Sequence, residues 1–224
     1  MMTTLARVLS VAATVAALSA CSSKPVVGIL LPMTGDASPY GESMKNGIDI
    51  ALEQAKAELP AGFQIVWGDD ATDPATGAAE LRRMASAGTR LVVAGTTSDT
   101  AHALLPLLDE LDVIAISPSA SDPSLTKDSR RFFRIFASDE LEGRRAGRFL
   151  YDDQDKATVL IYAEDSAQAR GIEPPFRQVF EQAMGGRVVG RVLVDEAGWE
   201  RESSDLLAAA RPESIYIIAY GEKT

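Results

Sequence analysis

The feature that most constrains this chain is its alternation of short, continuous apolar runs with longer stretches of helical periodicity. Val26 to Leu31 (VVGILL) is apolar throughout, as expected of a strand buried on both faces. Ile48, Leu52, Ala55 and Leu59 then recur at three- and four-residue spacing, which predicts a helix that Pro60 stops. The alternation continues to the end of the chain. Phe63 to Trp67, Leu91 to Ala94, Asp112 to Ile116, Arg131 to Phe136, Thr158 to Tyr162, Arg187 to Val194 and Ser214 to Ala219 read as further extended segments. One intervening helix is expected to begin at Asp73-Pro74, a capping residue followed by a first-turn proline, and to run to Gly88. Others are expected over Asp99 to Leu111, Asp139 to Tyr151, Gln168 to Met184 and Glu200 to Ala210. Such βαβα order predicts parallel sheets covered by helices.

Ahead of the first strand, Val8 to Ala20 (VLSVAATVAALSA) is an unbroken run of small and apolar residues. It is shorter than the roughly 20 residues that a bilayer-spanning helix needs, and it fits the apolar core of a secretory signal. The run ends in Leu18-Ser19-Ala20-Cys21, which resembles the lipobox of bacterial lipoproteins. That resemblance implies a signal peptide over residues 1–20, a lipid on Cys21, and a tether over 21–25. The chain would then be anchored to a membrane on the periplasmic or extracytoplasmic side. A plain signal peptide that leaves Cys21 as a free thiol is the alternative.

Composition narrows the chemistry. With 22 Lys and Arg against 32 Asp and Glu, the formal charge is −10, which argues against nucleic acid and anionic membrane surfaces as partners. A single Cys excludes an intrachain disulfide or a multi-Cys zinc site, and His102 is the only histidine. There is no G-x-S-x-G, HExxH, G-x-G-x-x-G or phosphate-binding Gly-Lys-Ser/Thr loop. No catalysis, metal or cofactor is expected. Asp69, Asp70 and Asp73 invite a metal reading, but a capping role for Asp73 explains them better. Trp67 and Trp199 read as packing residues, and His102 as a surface or packing residue.

In open parallel sheets, ligands bind beyond the carboxyl ends of the strands, which selects the loops 32–41, 68–73, 95–100 and 117–123. Gly95-Thr96-Thr97-Ser98-Asp99-Thr100 offers hydroxyls and backbone N–H groups at a helix start, suited to a carboxylate. The plainer alternative is that Ser98 caps the helix while Thr96 and Thr97 fill a turn. Ser117 to Ser121 likewise reads either as a site loop or as a turn only.

Taken together, five segments resemble the type I periplasmic binding proteins of the branched-chain (Leu/Ile/Val) amino acid family: residues 27–54, 69–74, 94–126, 132–150 and 214–222. The resemblance implies an α/β fold of two lobes with parallel sheets flanked by helices. Lobe 1 would span 26–137 and a partial second lobe 138–224, its remainder missing. It also implies the substrate-binding component of an ABC transporter, which clamps an amino acid or similar small polar ligand by hinge closure and docks on an inner-membrane permease. Carried over by position, Tyr40 lines the cleft, Ser98 holds the ligand carboxylate, and Thr96 and Thr97 form a side wall. Ser119 and Ala120 present backbone groups, Ser121 helps to bind the ammonium, and Tyr220 supplies a second aromatic. Gln168 stands where the family has a tyrosine, which alters the clamp. The chain is also shorter than the family's. It is therefore expected to be a fragment or a shortened product that binds weakly or not at all. A lipoprotein of the same fold that activates a peptidoglycan synthase (a penicillin-binding protein) is the alternative function.

Overall fold

The computed structural model describes residues 25–127, 129–194 and 196–219. Cys21, the whole predicted signal segment and Tyr220 lie outside them.

The first apolar run becomes β1 (Val26–Leu31), whose last four residues are buried. It sits inside a five-stranded, all-parallel sheet of order β2-β1-β3-β4-β5, with β2 (Gln64–Asp69), β3 (Leu91–Val93), β4 (Ile114–Ser117) and β5 (Phe132–Arg134). Parallel pairing follows from the helices in the connections: α1 (Ser38–Ala55), α2 (Pro74–Ser86) and α3 (Ser98–Glu110). One face carries the main core, in which Leu30, Val92, Ala115 and Phe132 of the sheet meet Leu81 and Met84 of α2 and Leu104 and Leu108 of α3. Asp73 caps α2 as expected, accepting the Thr76 N–H at 2.7 Å. By contrast, α1 buries only Gly41, where a Cβ would stand 2.1 Å from the Pro32 carbonyl oxygen. It ends at Ala55, short of Leu59, and is followed by a turn in which the Ala55 carbonyl accepts both the Glu58 and Leu59 N–H groups.

The second sheet has β6 (Thr158–Ala163) between β7 (Arg187–Leu193) and β8 (Ser214–Ile218), again all parallel. The helices here are α4 (Asp139–Arg148), α5 (Ala167–Arg177) and α6 (Trp199–Ala210). Both α4 and α5 run on into π-helical turns, Phe149–Asp153 and Gln178–Ala183. On one face of the sheet Val159 and Ile161 pack against Ile172, Phe176 and Phe180. On the other, Leu160, Tyr162 and Val192 pack against Trp199, Leu206 and Leu207. Trp199 is thus a packing residue, edge-on to Tyr162 at 6.3 Å. Trp67 is partly exposed, with the Lys45 ammonium 5.5 Å above its ring.

Two apolar surfaces stay open among the described residues. Leu91, Ile114 and Phe133 are exposed on the first sheet, and Ile215 and Ile217 on the edge strand β8.

Candidate functional site

The carboxyl ends of β1, β3 and β4 place three loops side by side. The first, Pro32–Ala37, is tied down by Asp69 at the end of β2. One oxygen of its carboxylate accepts the Met33 N–H at 2.8 Å and the Thr34 N–H at 3.2 Å, while the other accepts the Thr34 hydroxyl at 2.7 Å. Burial pushes the Asp69 carboxyl up, but these bonds outweigh it and hold the group below its usual range. The loop delivers Tyr40 to the start of α1, half exposed.

The aspartates nearby are spent on backbone geometry. Asp70 accepts the Thr72 N–H at 2.9 Å, within a turn where Ala71 and Thr72 both adopt positive φ. Among the described residues no acidic, histidine or cysteine cluster could hold a metal ion. Burial is the main force pushing the Asp70 carboxyl up to about 6; the Thr72 bond opposes it, and the charges of Asp69 and Asp73 add to it. The unfolded value lies near 3.9. Between pH ~4 and 6 the native state therefore holds a proton that the unfolded chain has lost, and stability falls as pH rises through that window. Asp70→Asn is accordingly expected to stabilise the chain at pH 7.5 by about 1–3 kcal/mol and to flatten the decline between pH 5 and 7.5. Urea unfolding at both pH values checks this; an unchanged midpoint at pH 7.5 contradicts it.

The second and third loops are stitched to each other. Gly95 takes φ +73°, and a Cβ there would lie 2.9 Å from that of Ala101. Thr97, not Ser98, caps α3: its hydroxyl oxygen accepts the Thr100 N–H at 3.2 Å and pairs with the Thr100 hydroxyl at 3.0 Å. The Thr96 hydroxyl faces the Met44 sulfur at 3.8 Å. Ser117 donates to the Gly95 carbonyl at 2.6 Å and accepts the Ala120 N–H at 2.8 Å. Ser119 donates to the Thr96 carbonyl at 2.5 Å. The N–H groups of Ser121 and Asp122 both donate to the Ser98 hydroxyl oxygen at 3.2 Å.

This last arrangement has a chemical consequence. Ser98 Oγ already accepts twice, so its own proton is left to donate. It is the first residue of α3, where first-turn amides have no intrahelical acceptor and the helix dipole favours negative charge. Hydroxyl and helix end together present hydrogen-bond donors where the helix dipole favours negative charge. Ser98, Ala120 and Ser121 are almost fully buried, and Thr96 and Thr97 nearly so.

Across from α3 lies the start of α5. Asp99 accepts the Ala167 N–H at 3.2 Å and faces Arg170 at 3.5 Å. That contact brings Gln168, half-buried in the first turn of α5, to the same junction as Ser98. Of the predicted site residues, Thr96, Thr97, Ser98, Ser119, Ala120 and Ser121 lie in or beside the two stitched loops, with Tyr40 in the first turn of α1 and Gln168 in the first turn of α5. Asp99 was not singled out from the sequence; its only local signal is an acid in the first turn of a helix. His102 pairs with Asp122 at 2.9 Å. Burial pushes the Asp122 carboxyl up, but the His102 and Ser124 bonds hold it below its usual range.

The profile of the periplasmic binding protein family matches residues 25–223. The Leu/Ile/Val-binding protein BraC3 of Rhizobium johnstonii is 23% identical over 199 residues, covering 87% of this chain and 53% of that protein. The chain therefore spans about half the length of the curated relatives it matches. In fold it resembles the branched-chain amino acid transporter substrate-binding protein LivJ of Streptococcus pneumoniae, solved with isoleucine, at TM-score 0.78 and 19% identity, covering 87% and 57% of the two chains. It also resembles an ABC transporter solute-binding protein of R. palustris solved with 4-hydroxybenzoate, at TM-score 0.79 and 20% identity, covering 88% and 54%. With this profile match and the parallel α/β architecture, the chain belongs to the periplasmic binding protein family.

Proposed function

We propose that this chain is the substrate-binding component of an ABC transporter and captures a small carboxylate ligand of amino-acid type between two lobes. The lobes divide at the segment joining β5 to α4, and closure brings the α5 start with Gln168 toward Ser98. The observation that carries this reading is the Ser98 hydroxyl: two amides from the neighbouring loop fill its acceptor side and leave its proton to give, at the N-terminus of α3. Tyr40, Ser119, Ala120 and Ser121 complete the near wall. The protein binds without turnover and hands its ligand to a membrane permease. It works at the extracytoplasmic face, held by a lipid on Cys21 after removal of residues 1–20. Cys21→Ser is expected to move the chain from the membrane fraction to the soluble fraction; retention on the membrane contradicts the anchor.

The binding itself is tested by following backbone amides in NMR spectra while amino acids are added, a method that reads even weak association. Ser98→Ala is expected to weaken binding at least tenfold, since a hydrogen bond to a charged ligand group contributes about 1.5–3 kcal/mol.

A further inference from the structure

We propose that Asp99 is a positioning residue whose carboxylate clasps the two lobes together and sets how far they part before a ligand arrives. This deepens the receptor reading above and rests on its division into lobes.

Asp99 stands in the first turn of α3, directly after Ser98. Its carboxylate reaches the other lobe, where Oδ2 and Oδ1 accept the Ala167 N–H at 3.2 and 3.3 Å. Ala167 is the first residue of α5, so its N–H has no acceptor within the helix. The helix's own cap does not supply one, because the Ser166 hydroxyl oxygen accepts from the Ala169 N–H at 3.1 Å. Asp99 thus completes the capping of a helix that belongs to the other lobe. Its Oδ1 also faces one arm of the Arg170 guanidinium at 3.5 Å, while Asp165 holds the second arm at 2.6 Å.

The charges at this junction make the contact matter for closure. Both α3 and α5 present their N-terminal ends here, each with partial positive charge, and Arg170 adds a full one. Ends of like sign repel when brought together, and a carboxylate placed between them turns that repulsion into attraction. The exposed pair with Arg170 contributes little by itself; the charge-assisted bond to the Ala167 amide is the stronger part. Ser98 and Gln168 are the chain neighbours of Asp99 and Ala167. A clasp between those two residues therefore keeps the two sides of the cleft facing each other.

The rest of the junction leaves the clasp free to open. Among the described residues, each apolar core cluster lies within one lobe and none spans both. Beside the clasp a cavity of about 670 Å³ opens between the lobes, walled by Asp122, Ser124 and Lys127 of one and Arg144, Arg170 and Gln178 of the other. A second tie, from the Asp139 N–H to the Ser121 carbonyl at 3.0 Å, involves the first residue of α4, directly after the connecting segment. That tie sits at the hinge and survives a rotation that breaks the clasp.

The test measures the distance between spin labels on cysteines introduced at Glu53 of lobe 1 and Asp205 of α6, both exposed, in the full chain carrying Cys21→Ser. With no ligand added, Asp99→Ala is expected to place at least half of the molecules at a second distance. Arg170→Glu sets a like charge against Asp99 and is expected to act in the same direction, which keeps the test decisive should Asp99→Ala not fold. NMR titrations with leucine and with 4-hydroxybenzoate then read the consequence for binding. Both probes are expected to lose affinity by one common factor, about twofold or more, equal to the shrinkage of the population at the wild-type distance. If neither variant alters the label distances, or if Asp99→Ala weakens one probe alone, the clasp is overturned while the receptor reading stands. If neither probe shifts any amide of the wild type, the receptor reading fails, and the label distances still decide whether Asp99 ties the lobes.

Discussion

Replacing Phe176 with alanine is expected to cost about 3–5 kcal/mol of the stability of the second sheet and its helices. Phe176 is fully buried, stacks on Phe180 with ring centroids 5.2 Å apart, and meets the Tyr216 ring at 4.7 Å. Its removal empties the centre of a core that Val159, Ile161 and Ile172 surround. The helices cannot close on the space, because α4 and α5 are already in contact through Gly143 and Gly147. A domain's whole stability is only about 5–15 kcal/mol, so most of the local margin goes. Hydrogen exchange at Val159–Ala163 is the readout, and those amides are expected to exchange at least a hundredfold faster. Amides of β1 belong to the other core and should change little. Unaltered protection of β6 would contradict this account of the packing.

Valine at Gly143 is expected to do comparable damage by the opposite route, overfilling a contact instead of emptying one. A Cβ at that position would lie 2.2 Å from the Ile172 carbonyl oxygen and 2.9 Å from the Phe176 N. Those are backbone atoms of α5 and cannot rotate away as a side chain would. The helices must separate along the line of Gly143, Gly147 and Gly171, and the contacts between them loosen together. Overpacking typically costs 1–3 kcal/mol, and a clash with helix backbone places this variant at the upper end, about 3 kcal/mol. The loosening is read as a fall in the urea midpoint. A variant with wild-type midpoint would show that the two helices have slack.

Much of this architecture could be read from the chain. The run Val26 to Leu31 forms β1 with its expected bounds, and Asp73-Pro74 starts α2 with the expected cap. Strand edges were less legible where local pairing decides them. Asp112 to Ile116 was expected as a strand, yet Asp112 takes φ +54° and the Val113 N–H closes back on the Leu108 carbonyl. Those residues finish the helix, and β4 begins only at Ile114. The bonds responsible involve backbone conformation that a hydropathy pattern does not encode.

The candidate site divides in the same way. That hydroxyl-rich loops would follow β3 and β4 was plain from Gly95 to Thr100 and Ser117 to Ser121. Which hydroxyls are consumed internally was not, because that depends on contacts between loops more than twenty residues apart. Ser117 and Ser119 are committed to the carbonyls of Gly95 and Thr96, and Thr97 to its helix cap. Ser98 keeps a proton to give only because two amides from the other loop converge on it. Asp99 was hidden for a related reason: it looks like an ordinary acid at a helix start until the facing element is placed.

The most direct test of the central claim is an amide-resolved NMR titration of the full chain with leucine, repeated on Ser98→Ala. The account predicts that shifts in the wild type centre on Ser98 and on Ser119 to Ser121, and that the variant loses them. Saturable shifts that fall elsewhere, or that persist unchanged without the Ser98 hydroxyl, would contradict it.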